Sequence, residues 1–192
     1  MAEPPEVQIP EDPGPYRGRI RLTLAGFASQ ETVTVEQVVR AIEILPDRHL
    51  EDLESVQFDP GRHLARAYSR LLRQPIRRNA RGQYIDDLGC IAIYRIETPE
   101  AFYRTLYHEI GHCVFARVLS GAERKRWVTG LYPAEPPAPH RPLDTASEDF
   151  AAAYAAFVLA PRSLRDLPEK QAFLRDTVFQ GFVPDRAALA AG

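Results

Sequence analysis

Cysteine and long apolar runs are scarce in this chain of 192 residues. Two cysteines occur, Cys90 and Cys113, whereas small secreted domains held by disulfides carry many more. No stretch approaches the ~20 consecutive apolar residues that span a bilayer. The proline-rich, acidic residues 1–16 also lack the apolar segment of a signal peptide. The sequence therefore predicts a reduced, cytoplasmic protein without a membrane segment.

An excess of charge of one sign is lacking too. Lysine and arginine number 24 against 26 acidic residues, a net charge of −2, and the arginines are scattered singly or in pairs. Because a nucleic-acid binder needs a basic stripe, we expect no nucleic-acid partner. The chain length fits one domain. We expect a disordered arm over residues 1–16, which have little to bury, and a single domain over residues 17–192.

The first half of the chain mixes strand and helix patterns. Strands are predicted within residues 18–26, 53–59 and 90–96, which alternate in polarity or are rich in β-branched and aromatic residues. Helical spacing of apolar residues predicts helices over residues 34–45, where Thr34 and Gln37 form a capping box, and over residues 61–75. Residues 79–89 have the composition of a turn.

The second half reads as helices only. A helix is expected from Thr98-Pro99-Glu100, a favourable N-terminus, to about Leu119. A proline-rich loop over 134–142 precedes an alanine-rich helix over 145–161, and residues 163–181 give a turn and a last helix. This order predicts an α+β fold, with a small mixed sheet and a helical C-terminal part.

Residues 108–112, HEIGH, form an HExxH motif within the predicted helix that starts at Thr98. Two histidines four positions apart lie ~40° apart on one helix face, so His108 and His112 can reach one tetrahedral Zn²⁺. Glu109 projects ~100° from His108, near the metal but badly placed as a ligand. This motif implies that Glu109 is the general base that takes a proton from the zinc-bound water.

Both faces of this helix are largely apolar. One carries Phe102, Leu106, Ile110, Cys113 and Val114; the face with the histidines also holds Ala101, Thr105, Phe115 and Leu119. A helix that is apolar on both sides is buried, and buried histidines need partners. A metal ion provides one, which favours a metal site over a chance pattern. Cys113 points ~140° from His108 and is interpreted as a core residue.

The metal needs a third protein ligand, and position 118, where a third histidine would stand in the longer HExxHxxGxxH motif, is valine. Glu148 is the best candidate because it starts the alanine-rich helix, whose small residues allow a close approach to the histidine helix. Alternatively, Glu148 closes a capping box with Thr145. Asp149 and Asp144 are further candidates for the ligand, and the alternative role for one of them is to orient a ligand imidazole.

With HEIGH and SEDFA both present, the chain resembles gluzincin-type zinc peptidases, and within them the family of the anthrax lethal factor catalytic domain and the Pro-Pro endopeptidases. The resemblance depends on residues 106–112, 148–161 and 167–179. It implies a zincin-like fold, His108, His112 and Glu148 as zinc ligands, and Glu109 as the base. The alanine-rich helix is also similar to that of the ImmA/IrrE group, which cleaves transcriptional regulators.

Two positions depart from the lethal factor pattern. Ala152 stands where the family usually has glutamate. Arg141, with His140 beside it, stands where the family usually has a tyrosine that donates to the oxyanion. His140 and Arg141 are therefore candidates for stabilising negative charge, and Tyr107 and Tyr132 are weaker ones.

The predicted activity is zinc-dependent hydrolysis of a polypeptide, with Glu109 moving the proton. The substrate is expected to pair as an extended strand with a sheet edge, for which residues 90–96 are the candidate if they are not an interior strand. The competing hypothesis is a zinc-bound regulatory protein without hydrolytic activity. His49 and His63 are expected at or near the surface.

Overall fold

The computed structural model describes residues 22–72, 80–136 and 145–190. Four strands are present: β1 (Thr23–Ala25), β2 (Ser55–Phe58), β3 (Gly82–Ile85) and β4 (Cys90–Ile93). The helices are α1 (Val35–Glu43), α2 (His63–Leu72), α3 (Pro99–Cys113), α4 (Gly121–Arg126), α5 (Tyr132–Ala134), α6 (Ala146–Leu159), α7 (Pro168–Phe173) and α8 (Ala187–Ala190). The predicted α+β class is confirmed. The arm over residues 1–16 lies outside the described residues.

The helices begin where their capping residues predict. Thr34 and Gln37 form the expected capping box at α1. The Thr98 hydroxyl accepts from the Ala101 N–H, with Pro99 at the first helical position of α3. A π-helical turn, Val114–Val118, extends α3 to the predicted end near Leu119. At the other end of the chain, Gly181 follows the last helical turn with φ +81°, a left-handed conformation that favours glycine.

The sheet has the order β1-β2-β4-β3. β1, β2 and β4 are parallel, and β3 is antiparallel to β4. The prediction that residues 90–96 supply the exposed edge is therefore wrong, since β4 lies between β2 and β3. The edge strand next to β4 is β3, Gly82–Ile85, which lies within a segment that was expected to be only a turn. That turn is confined to residues 86–89, where Gly89 has φ +52°.

Helices cover both faces of β4, which explains why all four of its residues are buried. Ile91 and Ile93 join the main core, which also contains Phe102 and Leu106 of α3. On the opposite face, Ala92 and Tyr94 pack with Ala65 of α2. α3 therefore lies against the sheet on one side. On its far side it packs against α6.

Two pairs of polar side chains are buried where α6 meets the C-terminal helices. His49, expected near the surface, is fully buried: its Nδ1 lies 2.8 Å from the Tyr154 hydroxyl and its Nε2 lies 2.9 Å from the Val178 carbonyl oxygen. The Lys170 ammonium lies 3.0 Å from the Asp149 carboxylate, with both side chains fully buried. Both pairs attach α6 to the final helical segment.

Among the described residues, no helix is both long enough and apolar enough to cross a bilayer.

Candidate metal centre

His108 and His112 lie on the face of α3 that meets the first turn of α6. His108 Nε2 is 3.2 Å from Glu148 Oε2, and His112 Nε2 is 3.6 Å from the same oxygen. The imidazole rings are nearly perpendicular, with centroids 4.8 Å apart. The Thr145 hydroxyl does accept from the Glu148 N–H, so the local cap and the approach to the histidines coexist. Glu148 is capped through its backbone while its carboxylate faces the two rings.

A glycine in the motif makes this approach possible. A Cβ atom at Gly111 would lie 2.8 Å from Ala151 Cα and 3.2 Å from the Ala151 carbonyl oxygen. Since these are backbone atoms of α6, a side chain at position 111 would push the helices apart. The predicted close approach through the alanines is confirmed at Ala151, which is fully buried. Its partner on α3 is Gly111, for which no such role was predicted.

The donor set fits a divalent metal ion. Around a tetrahedral Zn²⁺ with bonds of about 2.1 Å, ligand atoms lie about 3.4 Å apart. The separations of 3.2 and 3.6 Å between the imidazole nitrogens and Glu148 Oε2 lie on either side of that value. One ligand atom from each of the three residues can be chosen so that all lie within 4.8 Å of one another. Two neutral imidazoles with one carboxylate form a set that Zn²⁺ accepts.

The site is open to solvent. The side chains of His108, His112 and Glu148 are 26%, 18% and 19% exposed, so neither water nor a small ligand is excluded. Cys113, next in sequence to His112, does not contribute a donor. Burial raises the pKa of its thiol to about 11, which disfavours the thiolate form that binds metals. Its predicted role as a core residue is confirmed, since it is fully buried.

Ser147 orients one of the histidines. Its hydroxyl oxygen lies 3.0 Å from His112 Nδ1, which lets that ring nitrogen carry the proton and donate it. Nε2, the nitrogen directed at Glu148, then keeps its lone pair for a metal. Sequence reasoning missed this residue and looked to carboxylates instead. The available signal was its position directly before the ligand candidate on the same helix turn.

The carboxylates proposed for that orienting role act elsewhere or are not described. Asp149 is fully buried and pairs with Lys170. Adjacent residues of a helix project ~100° apart, and Glu148 and Asp149 accordingly serve different neighbours. Asp144 lies outside the described residues.

Glu109 faces the sheet edge. Its Oε2 accepts a hydrogen bond of 2.8 Å from the backbone N–H of Tyr84 in β3, and its residue is 7% exposed. One turn away, Thr105 is also directed at β3: a Cβ atom at Gly82 would lie 2.8 Å from Thr105 Cγ2 and 3.1 Å from Glu109 Cγ. Glu109, next to His108 in sequence, therefore has its carboxylate on the edge strand.

The candidates for oxyanion stabilisation fall into two groups, those outside the described residues and the two tyrosines. His140 and Arg141 lie outside the described residues. Tyr107 is fully buried, and its hydroxyl donates to the Ala41 carbonyl oxygen at 2.8 Å, so it is a packing residue. Tyr132 is partly buried against the main core. His63 is exposed, as predicted.

Comparisons of the chain with protein-family models, with curated proteins and with solved structures return no match.

Proposed function

We propose that this protein is a zinc-dependent peptidase of the gluzincin type on a zincin-like fold. One observation carries the proposal. His108, His112 and the distant Glu148 converge with separations suited to a single ion, while Glu109 of the same helix reaches toward a free sheet edge. This arrangement supports a metal-assisted hydrolase, in which three residues would hold the ion, Glu109 would be the base and the sheet edge would bind an extended substrate.

A Zn²⁺ at this centre would act as a Lewis acid on a carbonyl oxygen and make water acidic enough to lose a proton near neutral pH. His108, His112 and Glu148 would hold it, with Ser147 fixing the orientation of the His112 ring. Glu109 would accept the proton from the attacking water and return it to the leaving amine. Its seclusion at 7% exposure limits competing proton exchange with bulk water.

The polypeptide substrate would pair with β3 rather than with residues 90–96. β3 is the free edge of the sheet on the side of Glu109, and an extended peptide adds to such an edge through main-chain hydrogen bonds. A peptide bound there lies beside both the base and the metal ligands. The antiparallel pairing of β3 with β4 leaves alternate backbone groups of β3 directed away from the sheet.

A non-catalytic zinc protein is the competing function. Structural zinc sites normally close with four protein ligands. Among the described residues, the group of potential donors has three members, one fewer than a structural site uses. This difference favours the hydrolytic function, and the experiment separates the two.

The test combines metal binding with hydrolysis. We expect one Zn²⁺ per chain by metal analysis of the wild type and loss of that metal in His112→Ala. His63→Ala is the matched control because His63 is exposed and does not belong to the group of potential donors. In digestion of a peptide library, Glu109→Gln should retain zinc and lose hydrolysis by about 10²–10⁴-fold, the usual contribution of a general base.

Two outcomes oppose the proposal. Equal rates for wild type and Glu109→Gln would remove the assigned base. Full zinc occupancy without cleavage of any library peptide would favour the regulatory protein.

A further inference from the structure

We propose that Gly82 and the backbone N–H of Tyr84 hold the carboxylate of Glu109 in place, so that the edge strand is a positioning element for the base. The contact itself stands on geometry. Its significance for hydrolysis rests on the function proposed above. Neither residue takes part in the chemistry, and Gly82 acts through Glu109 alone.

The Tyr84 N–H faces away from the sheet. The Tyr94 N–H donates to the Arg81 carbonyl oxygen at 2.8 Å, and the register pairs Gly82 with Ile93 and Gln83 with Ala92. In an antiparallel ladder, hydrogen-bonded pairs alternate, so Arg81 and Gln83 bond to β4. The backbone groups of Gly82 and Tyr84 then point to the free edge. Glu109 reaches that edge and accepts from the Tyr84 N–H.

Gly82 lets the strand come close enough for this bond. A Cβ atom there would lie 2.8 Å from Thr105 Cγ2, 3.1 Å from Glu109 Cγ and 3.2 Å from the Ala92 carbonyl oxygen. Real Cβ atoms do not approach within 3 Å, so an alanine would move the strand or the Thr105 side chain, and at 3.1 Å it would also press against Glu109. Movement of the strand or of Glu109 lengthens the Tyr84–Glu109 bond. Tyr84 is two positions from Gly82 along β3, and Glu109 is one turn from Thr105 along α3.

The hydrogen bond gives the two carboxylate oxygens of Glu109 different roles. Oε2 is fixed by the N–H, and among the described residues this is the one hydrogen bond that the carboxylate makes. Oε1 is left for the proton. Because misplacing a catalytic group by about 1 Å can cost 10²-fold in rate, fixing one oxygen has a large effect on the other. A peptide pairing along β3 must also leave this N–H to Glu109 or displace the carboxylate.

The first test measures the contact without relying on activity. Amide hydrogen exchange of the zinc-loaded protein, followed by NMR, should show a protected Tyr84 N–H although it faces the free edge. Glu109→Ala should speed its exchange by about tenfold, the effect of losing one hydrogen bond. Glu109→Gln keeps an acceptor oxygen and should keep most of the protection. The Gln83 amide, which bonds to β4, is the internal control and should not change.

The second test measures the consequence. Gly82→Ala should lower kcat by about 10–100-fold, with KM and zinc content unchanged within about twofold. Thr105→Ser removes the Cγ2 atom of the closest contact and keeps the hydroxyl that donates to the Ala101 carbonyl oxygen. The double variant Gly82→Ala/Thr105→Ser should therefore recover much of the loss. Gly130→Ala is the matched control because a Cβ atom there meets nothing within 4 Å.

The outcomes are distinguishable. Unchanged exchange of the Tyr84 amide in Glu109→Ala would overturn the contact. A Gly82→Ala variant with wild-type kcat would overturn its role in positioning. A wild type that cleaves no peptide would instead refute the proposed function, and the exchange measurement would still decide whether the edge strand holds Glu109.

Discussion

Two faces of α3 build two different kinds of contact. The face with His108 and His112 meets the first turn of α6, where side chains meet side chains: two imidazoles, a carboxylate and a hydroxyl. The face with Thr105 and Glu109 meets β3, where a side chain meets backbone: a carboxylate on an N–H, above a glycine. Only the contact with α6 depends on the side chains of both elements. The contact with β3 depends on a side chain of α3 and on the backbone of the strand.

The two faces also differ in what keeps them in place. On the α6 side, a glycine–alanine contact sets α6 against α3, and buried polar pairs attach α6 to the elements on its other side. On the β3 side, the sheet ladder fixes the strand, and Glu109 is attached to it by one hydrogen bond. Substitutions should therefore affect metal binding and stability on the α6 side, and affect mainly the position of Glu109 on the β3 side.

The largest effect should come from breaking the buried ion pair of α6. Lys170→Met removes the cation beside the buried Asp149 carboxylate, and breaking such a pair should lower the free energy of unfolding by about 3–5 kcal/mol. The Lys170 ammonium also donates to the Pro136 carbonyl oxygen at 2.8 Å, and that bond is lost as well. Chemical denaturation measures the change.

The matched control is Lys170→Met/Asp149→Leu, which removes both charges and should recover much of the stability because apolar pairs often replace buried ion pairs. A single variant as stable as wild type would show that the pair does not fix α6.

Acid should weaken the same side of the molecule through His49. Burial lowers the pKa of His49 to about 4, whereas its usual value, which applies in the unfolded chain, is about 6.5. The unfolded state therefore binds the extra proton first. The stability that His49 contributes is complete above pH 6.5 and is lost as pH falls toward 4, by on the order of 3 kcal/mol.

Comparing the pH dependence of unfolding in wild type and His49→Gln isolates this term, because other groups titrate in both. The wild-type curve should fall more steeply between pH 6.5 and 4.5. Parallel curves would contradict the burial of a neutral imidazole.

Gly111→Ala should separate α3 from α6. The added Cβ atom meets backbone atoms of Ala151, an overpacking that should cost about 2 kcal/mol and should weaken zinc binding at the same time. Zinc titration with a competing chelator and thermal unfolding measure the two effects. Gly130→Ala again serves as the control, and equal zinc affinity in both variants would show that the close approach is not needed for the metal centre.

Ser147→Ala should weaken zinc binding by about tenfold, at the lower end of the 10–100-fold loss seen when a hydrogen bond to a metal-ligating histidine is removed. Stability without metal should change little because the hydroxyl is at the mouth of a partly exposed site. Ser147→Thr keeps the hydroxyl and should retain affinity. Loss of affinity in both variants would point to a steric effect rather than to the bond with His112.

The smallest effect should come from the β3 side. Tyr84→Phe removes the hydroxyl that donates to Asp86 at 3.0 Å and should cost less than about 1 kcal/mol. Since the bond to Glu109 comes from the backbone, kcat should be unchanged. A large loss of kcat would mean that the phenol, and not only the N–H, serves the base.

The sequence predicted most of the helices and strands, and it predicted which potential metal ligands meet between α3 and α6. The caps at Thr34 and Thr98, the extent of α3 and the choice of Glu148 all follow from local patterns that fix local structure. The errors share a cause. His49 and β4 were placed too close to the surface because burial depends on what packs on the far side, and β3 was taken for a turn because four residues containing a glycine carry too little pattern.

The sequence by itself determined which atoms are available to a metal and a proton, because HExxH fixes the spacing of two imidazoles and a carboxylate on any α-helix. Only the tertiary structure decided that Glu148, 36 residues after His112, faces both rings, and that Glu109 is attached to the edge strand. The reason is physical. Helix periodicity acts within a few residues, whereas the approach of α6 and β3 depends on two glycines whose missing side chains leave room for a neighbouring backbone.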